Sequence, residues 1–456
     1  MARLHRQALP RRHKQQRKPR VPLFLSALLV TAAATPSTAA DALPRSAVIQ
    51  DGLTHKPAST CPASQENQPW YTFPWTHTPT CVDVVFADDP EDGSAGLETA
   101  QTLCAYSNAR YNNGRGVSFV ATPDVAASVT MEAFGMAIGG LDGTVGREMG
   151  MWEVRDAGEK GKGMFVKGDI GLVFAGESVV LHTPVLLVSR ALLDAKRTLA
   201  TSRVLRSAVE QLPAATRDAV LELSGGPELE QLVATNAVAV KWPWVDEVPE
   251  LFSVVPEVAR INHACRPNTR WRFNDYTLSF EVFALRNIKP GEEITRSYGF
   301  ELRPHHRRMR SLEANFNFSC KCSLCQASDE ELEASADRIS EIKALKSSLP
   351  TDPASAPRLL ELLPKLIRQL EDEGLVAELP QYEESLAYTW SQFGFEHRAK
   401  YWADRAEKHW AVVAGKESWE RVRCIELAKD VKAHQTWRTW KGEPWVDSKD
   451  DDAHEQ

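Results

Sequence analysis

The 456-residue chain contains no apolar run of the ~20 residues that a helix needs to cross a bilayer, so no stable membrane span is expected. It has no surplus of positive charge: Lys and Arg total 54 against 61 Asp and Glu, for a net charge of −7. Such a balance does not suit a protein that coats nucleic-acid phosphates, and no direct nucleic-acid binding is expected. Cysteine is scarce, and eight residues over this length do not make a disulfide scaffold. The glycines of Asn112-Asn113-Gly114-Arg115-Gly116 are not followed by Gly-Lys-Ser or Gly-Lys-Thr, which argues against a phosphate-cradling loop there. What is present is ordinary globular composition, 43% hydrophobic and 25% charged, in a length that suggests two or three domains.

The ends differ from the middle. Arg3, Arg6, Arg11, Arg12, Lys14, Arg17, Lys18 and Arg20 fall in an acid-free segment, followed by an apolar run from Val21 to Ala34 and by Ser37-Thr38-Ala39-Ala40. Basic, apolar and small-residue regions in that order describe a secretory signal peptide over residues 1–40, with a mitochondrial transit peptide or a basic tail as alternatives. The chain closes on an acidic tail, 447–456, read as a solvated run. Residues 41–150 hold Trp70, Tyr71, Phe73 and Trp75 between Cys61 and Cys81, which could pair in an oxidising compartment and would stay reduced in the cytosol. Asn113-Gly114 predicts a turn feeding a short strand at Val117–Val120.

Two stretches have helical periodicity. From Leu186 to about Val233, Leu187, Ala191, Leu192 and Ala195, then Val204, Leu205, Ala208 and Leu212, recur at helical spacing. Between about Ala327 and Trp440 the stripe Leu359, Leu362, Leu363, Leu366, Ile367 and Leu370, with Gly374 as a stop, predicts a helix. Leu386, Trp390 and Phe393, then Ala399, Ala403, Ala406 and Trp410, predict two more that pack together.

The chemistry is concentrated between Gly161 and Cys325. Cys320-Lys321-Cys322-Ser323-Leu324-Cys325 places three thiols too close to pair among themselves, at a spacing suited to one tetrahedral zinc. The best fourth ligand is Cys265, within Asn262-His263-Ala264-Cys265-Arg266-Pro267-Asn268; Cys104 and Cys424 are the spare choices. Oxidation of one pair, leaving the third thiol free, is the alternative. A four-cysteine site would be coordinatively closed and therefore structural. Two further signals are the turn and strand Ile288-Lys289-Pro290-Gly291-Glu292-Glu293-Ile294-Thr295-Arg296-Ser297-Tyr298 and the strand Gly161-Lys162-Gly163-Met164-Phe165-Val166. Each alone fits an ordinary hairpin or a close backbone approach.

In this order the four signals resemble the SET-domain protein lysine methyltransferases. Gly176–Val180, Pro184–Val188, and Arg310-Ser311-Leu312 ahead of Phe316–Cys320 point to the SET-and-MYND-like branch. Two differences are plain: no MYND zinc module is recognisable, since Ser189–Thr235 contains no cysteine, and Ala264 stands where the family usually has Ser. The resemblance implies an α+β fold of small curved β-sheets with a pseudo-knot. It places a SET domain at 151–300 with a helical insert at about 189–233, a post-SET zinc segment at 301–326, and a helical C-terminal domain at 327–446.

The resemblance also implies S-adenosylmethionine-dependent methylation of a lysine in a protein substrate. Tyr298 would be catalytic. Lys162, Gly163, Met164, Asn236, Asn262, His263 and Phe318 would face the cofactor, and zinc would be structural. The family places the protein in nucleus or cytosol, whereas the amino-terminal segment points to secretion. A catalytically inactive SET scaffold that binds peptide is the alternative from a different functional class.

Overall fold

The computed structural model describes residues 75–86, 99–129, 150–195, 197–245, 250–274, 277–352, 355–443 and 445. The signal-like segment, the acidic tail, Cys61, and the aromatics Trp70, Tyr71 and Phe73 lie outside the described residues. In chain order the strands are β1 (Thr80–Phe86), β2 (Thr99–Asn108), β3 (Val117–Ala121), β4 (Trp152–Asp156), β5 (Lys162–Val166), β6 (Ser178–His182) and β7 (Leu186–Ser189). They continue with β8 (Val238–Lys241), β9 (Glu250–Val254), β10 (Asn262–His263), β11 (Thr269–Asn274), β12 (Ser279–Ala284) and β13 (Thr295–Arg296). These form four small sheets: a six-stranded one in the order β1-β2-β3-β7-β9-β8, a three-stranded one (β11-β12-β6), and the pairs β4-β5 and β10-β13.

The six-stranded sheet is buried on both faces. Along β2, Leu103 and Ala105 face a core built with helices, while Cys104 and Tyr106 face a second core shared with the other sheets. A strand covered on both sides reads as a continuous apolar run. This corrects the helical reading at its start: Leu186 to Ser189 is the parallel neighbour of β3, and helix begins only at Arg190. The apolar run Val185–Val188 is too short to distinguish the two by periodicity. The insert then forms α1 (Leu199–Glu210), α2 (Ala214–Leu221) and α3 (Leu229–Asn236). Thr198 caps α1 through a reciprocal pair of bonds with Thr201. Val204, Leu205, Ala208, Leu232 and Val233 cover the sheet.

Cys81 and Cys104 stand opposite each other in the β1–β2 register and form a disulfide. Cys81 is therefore bonded to Cys104 and not to Cys61, a pairing that the sequence leaves open, and Cys104 is removed from the candidate metal ligands. Cross-strand opposition brings the two residues together despite their distance along the chain, which the spacing alone does not reveal.

Beyond β13, α4 (His305–Phe316) leads to five helices: α5 (Asp329–Ser348), α6 (Ala356–Asp372), α7 (Leu379–Phe393), α8 (Glu396–Val413) and α9 (Trp419–Lys429). Ser328 and Glu331 form a capping box that starts α5. Leu360, Leu363, Leu366, Ile367 and Leu370 turn inward from α6 to meet Leu386, Trp390, Ala399 and Ala403 in a separate core.

The turn before β3 is a fixed point of the fold. Asn112 and Asn113 adopt left-handed backbone, and a side chain at Gly116, φ +76°, would meet Pro213 Cδ at 2.4 Å. Arg115 from this turn pairs with Glu257 at 2.7 Å, five residues before β10. Burial pushes the Glu257 carboxyl up, but the charge of Arg115, with His182 behind it, outweighs this and holds it down to about 2.

Two outcomes follow. Gly116→Ala should destabilise the protein by about 2–3 kcal/mol, because it adds overlap with Pro213 to the backbone strain. Gly114→Ala, with open space around it, should lose only about 1 kcal/mol of backbone preference; denaturant melts compare the two. A carboxyl whose pKa is lower folded than unfolded stabilises above about pH 4.5. That contribution, about 3 kcal/mol, should fade as pH falls toward 2, and Glu257→Gln should flatten this acid limb.

Candidate active site and metal centre

Two segments more than thirty residues apart in the chain lie side by side. β10 pairs in parallel with β13, Asn262 beside Thr295 and His263 beside Arg296. Such a short ladder needs side-chain support, and Asn268 supplies it. Its Oδ1 accepts from the Thr295 backbone N–H (2.8 Å) and hydroxyl (3.1 Å), and its Nδ2 donates to the Glu293 carbonyl at 2.9 Å. The Thr269 hydroxyl donates to the Thr295 carbonyl at 2.7 Å. Asn268 is fully buried, so each lost bond would leave an unsatisfied group.

β10 faces β5. Asn262 Nδ2 donates to Glu293 Oε1 at 2.9 Å and lies 3.4 Å from the Lys162 carbonyl. The other oxygen of Glu293 pairs with Lys160 at 2.6 Å. Gly163 sits between them: a Cβ there would lie 2.8 Å from Asn262 Nδ2 and 3.0 Å from Glu293 Oε1. That position therefore requires glycine for space. Met164 is different. Its side chain is buried in the core and its carbonyl accepts from Ile294.

His263 links the two halves of the site. Its Nδ1 accepts the Tyr298 backbone N–H at 3.1 Å. In the neutral ring the proton is therefore on Nε2, which points at Cys265 Sγ from 3.5 Å. Around it stand Tyr298 and Phe318, with ring centres 5.3 and 6.1 Å away. Phe316 lies 4.9 Å from Tyr298. The Tyr298 hydroxyl donates to the Ile261 carbonyl at 3.1 Å. Burial pushes this phenol above its ordinary range, against the lowering charge of Arg296.

Asn236 is held by bonds of its own. It ends α3, and its carboxamide donates to the carbonyls of Ser224 (2.5 Å) and Leu232 (2.8 Å).

The sulfurs of Cys265, Cys320, Cys322 and Cys325 all lie within 4.8 Å of one another. Cys265 Sγ is 3.5 Å from Cys325 Sγ and 4.0 Å from Cys320 Sγ. Four thiolates at Zn–S ≈ 2.3 Å in a tetrahedron would stand roughly 3.8 Å apart, so the donor set fits zinc. Cys424 is buried elsewhere, in contact with none of them. The crowded thiols share protons. Hydrogen bonds from Cys265 pull Cys320 below its usual range and Cys322 down to about 5, while its bonds to Cys320 and Cys322 push Cys265 up. Cys325 is also raised, its bond with Cys265 outweighed by those with Cys320 and Cys322.

Two contacts tie this centre to the rest of the molecule, and neither partner was evident from motif spacing. Arg266, adjacent to Cys265, pairs with the buried Glu373 of the helical region and donates Nε to its carbonyl at 2.6 Å. Lys321 pairs with Glu159 of the β4–β5 turn. Glu293 was within a recognised motif, yet its role depends on facing Asn262 across the β-pair. Strand alternation places it but does not reveal its partner.

Replacing Cys322 with Ser should abolish stoichiometric zinc, read by elemental analysis of folded protein. The segment carrying Phe318 should then become protease-sensitive, while the helical region stays intact. Folded wild-type protein with no zinc would refute the ligand set.

The SET domain family model matches residues 161–299. Among curated proteins the chain is 39% identical over 75 residues to the histone-lysine N-methyltransferase SET5 of Meyerozyma guilliermondii, covering 16% of this chain and 16% of that protein. It is 38% identical over 87 residues to the N-lysine methyltransferase SMYD2 of Homo sapiens, covering 19% of this chain and 20% of that protein. It is 40% identical over 73 residues to the protein-lysine N-trimethyltransferase SMYD5 of Homo sapiens, covering 15% and 18%. The chain thus spans about a fifth or less of the length of these three relatives. Residues 161–299 are a SET domain, in a chain related to the SET and SET-and-MYND lysine methyltransferases.

Proposed function

We propose that this protein transfers a methyl group from S-adenosylmethionine to the ε-amine of a lysine in a protein substrate. The observation that carries the reading is the convergence of Asn262, His263 and Tyr298 within the SET domain, beside a glycine strand and an aromatic wall. The residues fit the cofactor. Aromatic faces of Tyr298 and Phe318 attract a sulfonium cation, and Asn262 offers its carboxamide next to the Lys162–Gly163 backbone.

The bound cofactor supplies an electrophilic methyl group on a positive sulfur. The chain's residues must bring a neutral amine in line with it. At pH 7 a lysine of pKa ~10.4 has to lose a proton at a cost of about 4–5 kcal/mol, which a dry channel reduces. Tyr298 keeps its proton, because burial raises its pKa further. It therefore orients the amine and closes the channel and does not act as a base; this is catalysis by positioning. His263 holds the backbone at Tyr298 and, through Nε2, the zinc ligand Cys265, so metal and catalytic segment move as one. Zinc here is structural and takes no part in transfer.

The test incubates the full-length, zinc-loaded protein with methyl-labelled S-adenosylmethionine, core histones and a lysine-peptide array. Label on lysine is expected; its absence with folded, zinc-loaded protein would leave a peptide-binding scaffold instead. Tyr298→Phe should cut turnover about 10²-fold or more while cofactor affinity changes little. Asn262→Ala should act first on affinity, by about 1–3 kcal/mol. Full activity in Tyr298→Phe with a changed ratio of mono-, di- and trimethyl product would keep the site and reject an essential hydroxyl.

A further inference from the structure

Arg296 precedes Tyr298 by two residues, so both side chains lie on the same side of the segment leaving β13. It is 6% exposed, and its guanidinium carbon sits 4.4 Å from the centre of the Tyr298 ring. Its Nε is buried without an acceptor, and no carboxylate among the described residues pairs with it. Glu293, on the same segment, is taken by Lys160 and Asn262. Arginine cannot shed its proton inside a protein, and a buried guanidinium with an orphaned N–H and no carboxylate partner is costly to keep. An apolar residue would serve a short strand better, so the charge has a use at this place.

We infer that Arg296 is the protein's own means of keeping the acceptor lysine uncharged: a fixed positive charge behind Tyr298 that disfavours an ammonium at the end of the channel. The inference rests on the lysine-methyltransferase reading and adds a residue to it. Most of the charges around it are paired or neutral. Lys160 and Glu293 form a pair, Glu292 is held by Arg286 at 2.6 Å, and β10 contributes the imidazole of His263 and the neutral Asn262. Phe316 and Phe318 close the aromatic side. A zinc-loaded cysteine quartet would carry two net negative charges on the other side of His263 and would offset part of the field, so the contribution of Arg296 is read from its removal with the quartet unchanged. At an effective dielectric of about 20, a unit charge roughly 6–10 Å from an amine held against Tyr298 would lower the amine pKa by roughly one to two units. The ring contact itself is a cation–π interaction that fixes the guanidinium in place.

The experiment uses the full chain and the peptide most strongly methylated in the array, with ε-¹³C-lysine at the acceptor. Arg296→Met keeps length and removes charge, and Arg296→Lys keeps the charge. The pH profile of kcat should rise at pH values about one unit or more higher in Arg296→Met than in wild type, and Arg296→Lys should restore it. The bound lysine should show the same shift by carbon NMR in complex with S-adenosylhomocysteine, which has no sulfonium and leaves only the protein's charges.

If Arg296→Met melts early, Arg296→Gln supplies the neutral comparison. Unshifted profiles in folded, active Arg296→Met or Arg296→Gln would overturn the inference while leaving the enzyme reading intact. A large loss of cofactor affinity without a pH shift would overturn it as well, assigning the guanidinium to the cofactor carboxylate. A wild-type chain that methylates no lysine would remove the enzyme reading, and the inference with it.

Discussion

The site depends on a parallel pairing only two residues long. β10 and β13 are brought together from distant parts of the chain, and so short a ladder cannot hold itself. Asn268 and Thr269 hold it by bonding to Thr295 and Glu293. Asn262, His263 and Cys265 come from the first segment, and Glu293, Arg296 and Tyr298 from the second. If the pairing slipped by one residue, the side chains would exchange faces, and Tyr298 would part from His263. The buried polar bonds specify that register, because every alternative leaves donors and acceptors unpaired.

From this pairing the constraints run outward in both directions. His263 passes from the Tyr298 backbone to the cysteine quartet, and Cys320, Cys322 and Cys325 bring with them the chain that carries Phe318. Arg266 then leads from the quartet to Glu373, which Ser335 (2.6 Å) and Arg338 (2.8 Å) also hold. A carboxylate buried among two guanidiniums and a hydroxyl is well satisfied, and removing either arginine would leave its charge exposed to a low dielectric. The helical region is in this way bonded to the loop that carries Asn262 and Cys265. On the far side, Glu257 and Arg115 anchor the approach to β10 on the turn before β3.

Much of this was legible in the sequence because the chemistry uses residues in fixed local patterns. The C-x-C-x-x-C run, the Asn-His loop and the strand ending at Tyr298 named most of the residues that converge. Helix stripes were readable wherever one face was buried, as along Leu360–Leu370. The failures share a cause. β7 was read as helix because burial on both faces erases alternation. The Cys81–Cys104 bridge and the Arg266–Glu373 pair join residues that only tertiary pairing makes neighbours. Arg296 looks in sequence like any charged residue in a strand; its lack of a carboxylate partner among the described residues is visible only once the strand is buried.

The central claim is that pairing, zinc and aromatic wall build one cofactor site. Calorimetric titration of S-adenosylmethionine into the full-length, zinc-loaded chain tests it most directly. Saturable one-to-one binding is expected, and it should disappear when a chelator strips the metal, because His263 and Phe318 are held through the cysteine quartet. A folded, zinc-loaded chain that binds no S-adenosylmethionine would contradict the claim, and binding unaffected by metal removal would separate the zinc from the site.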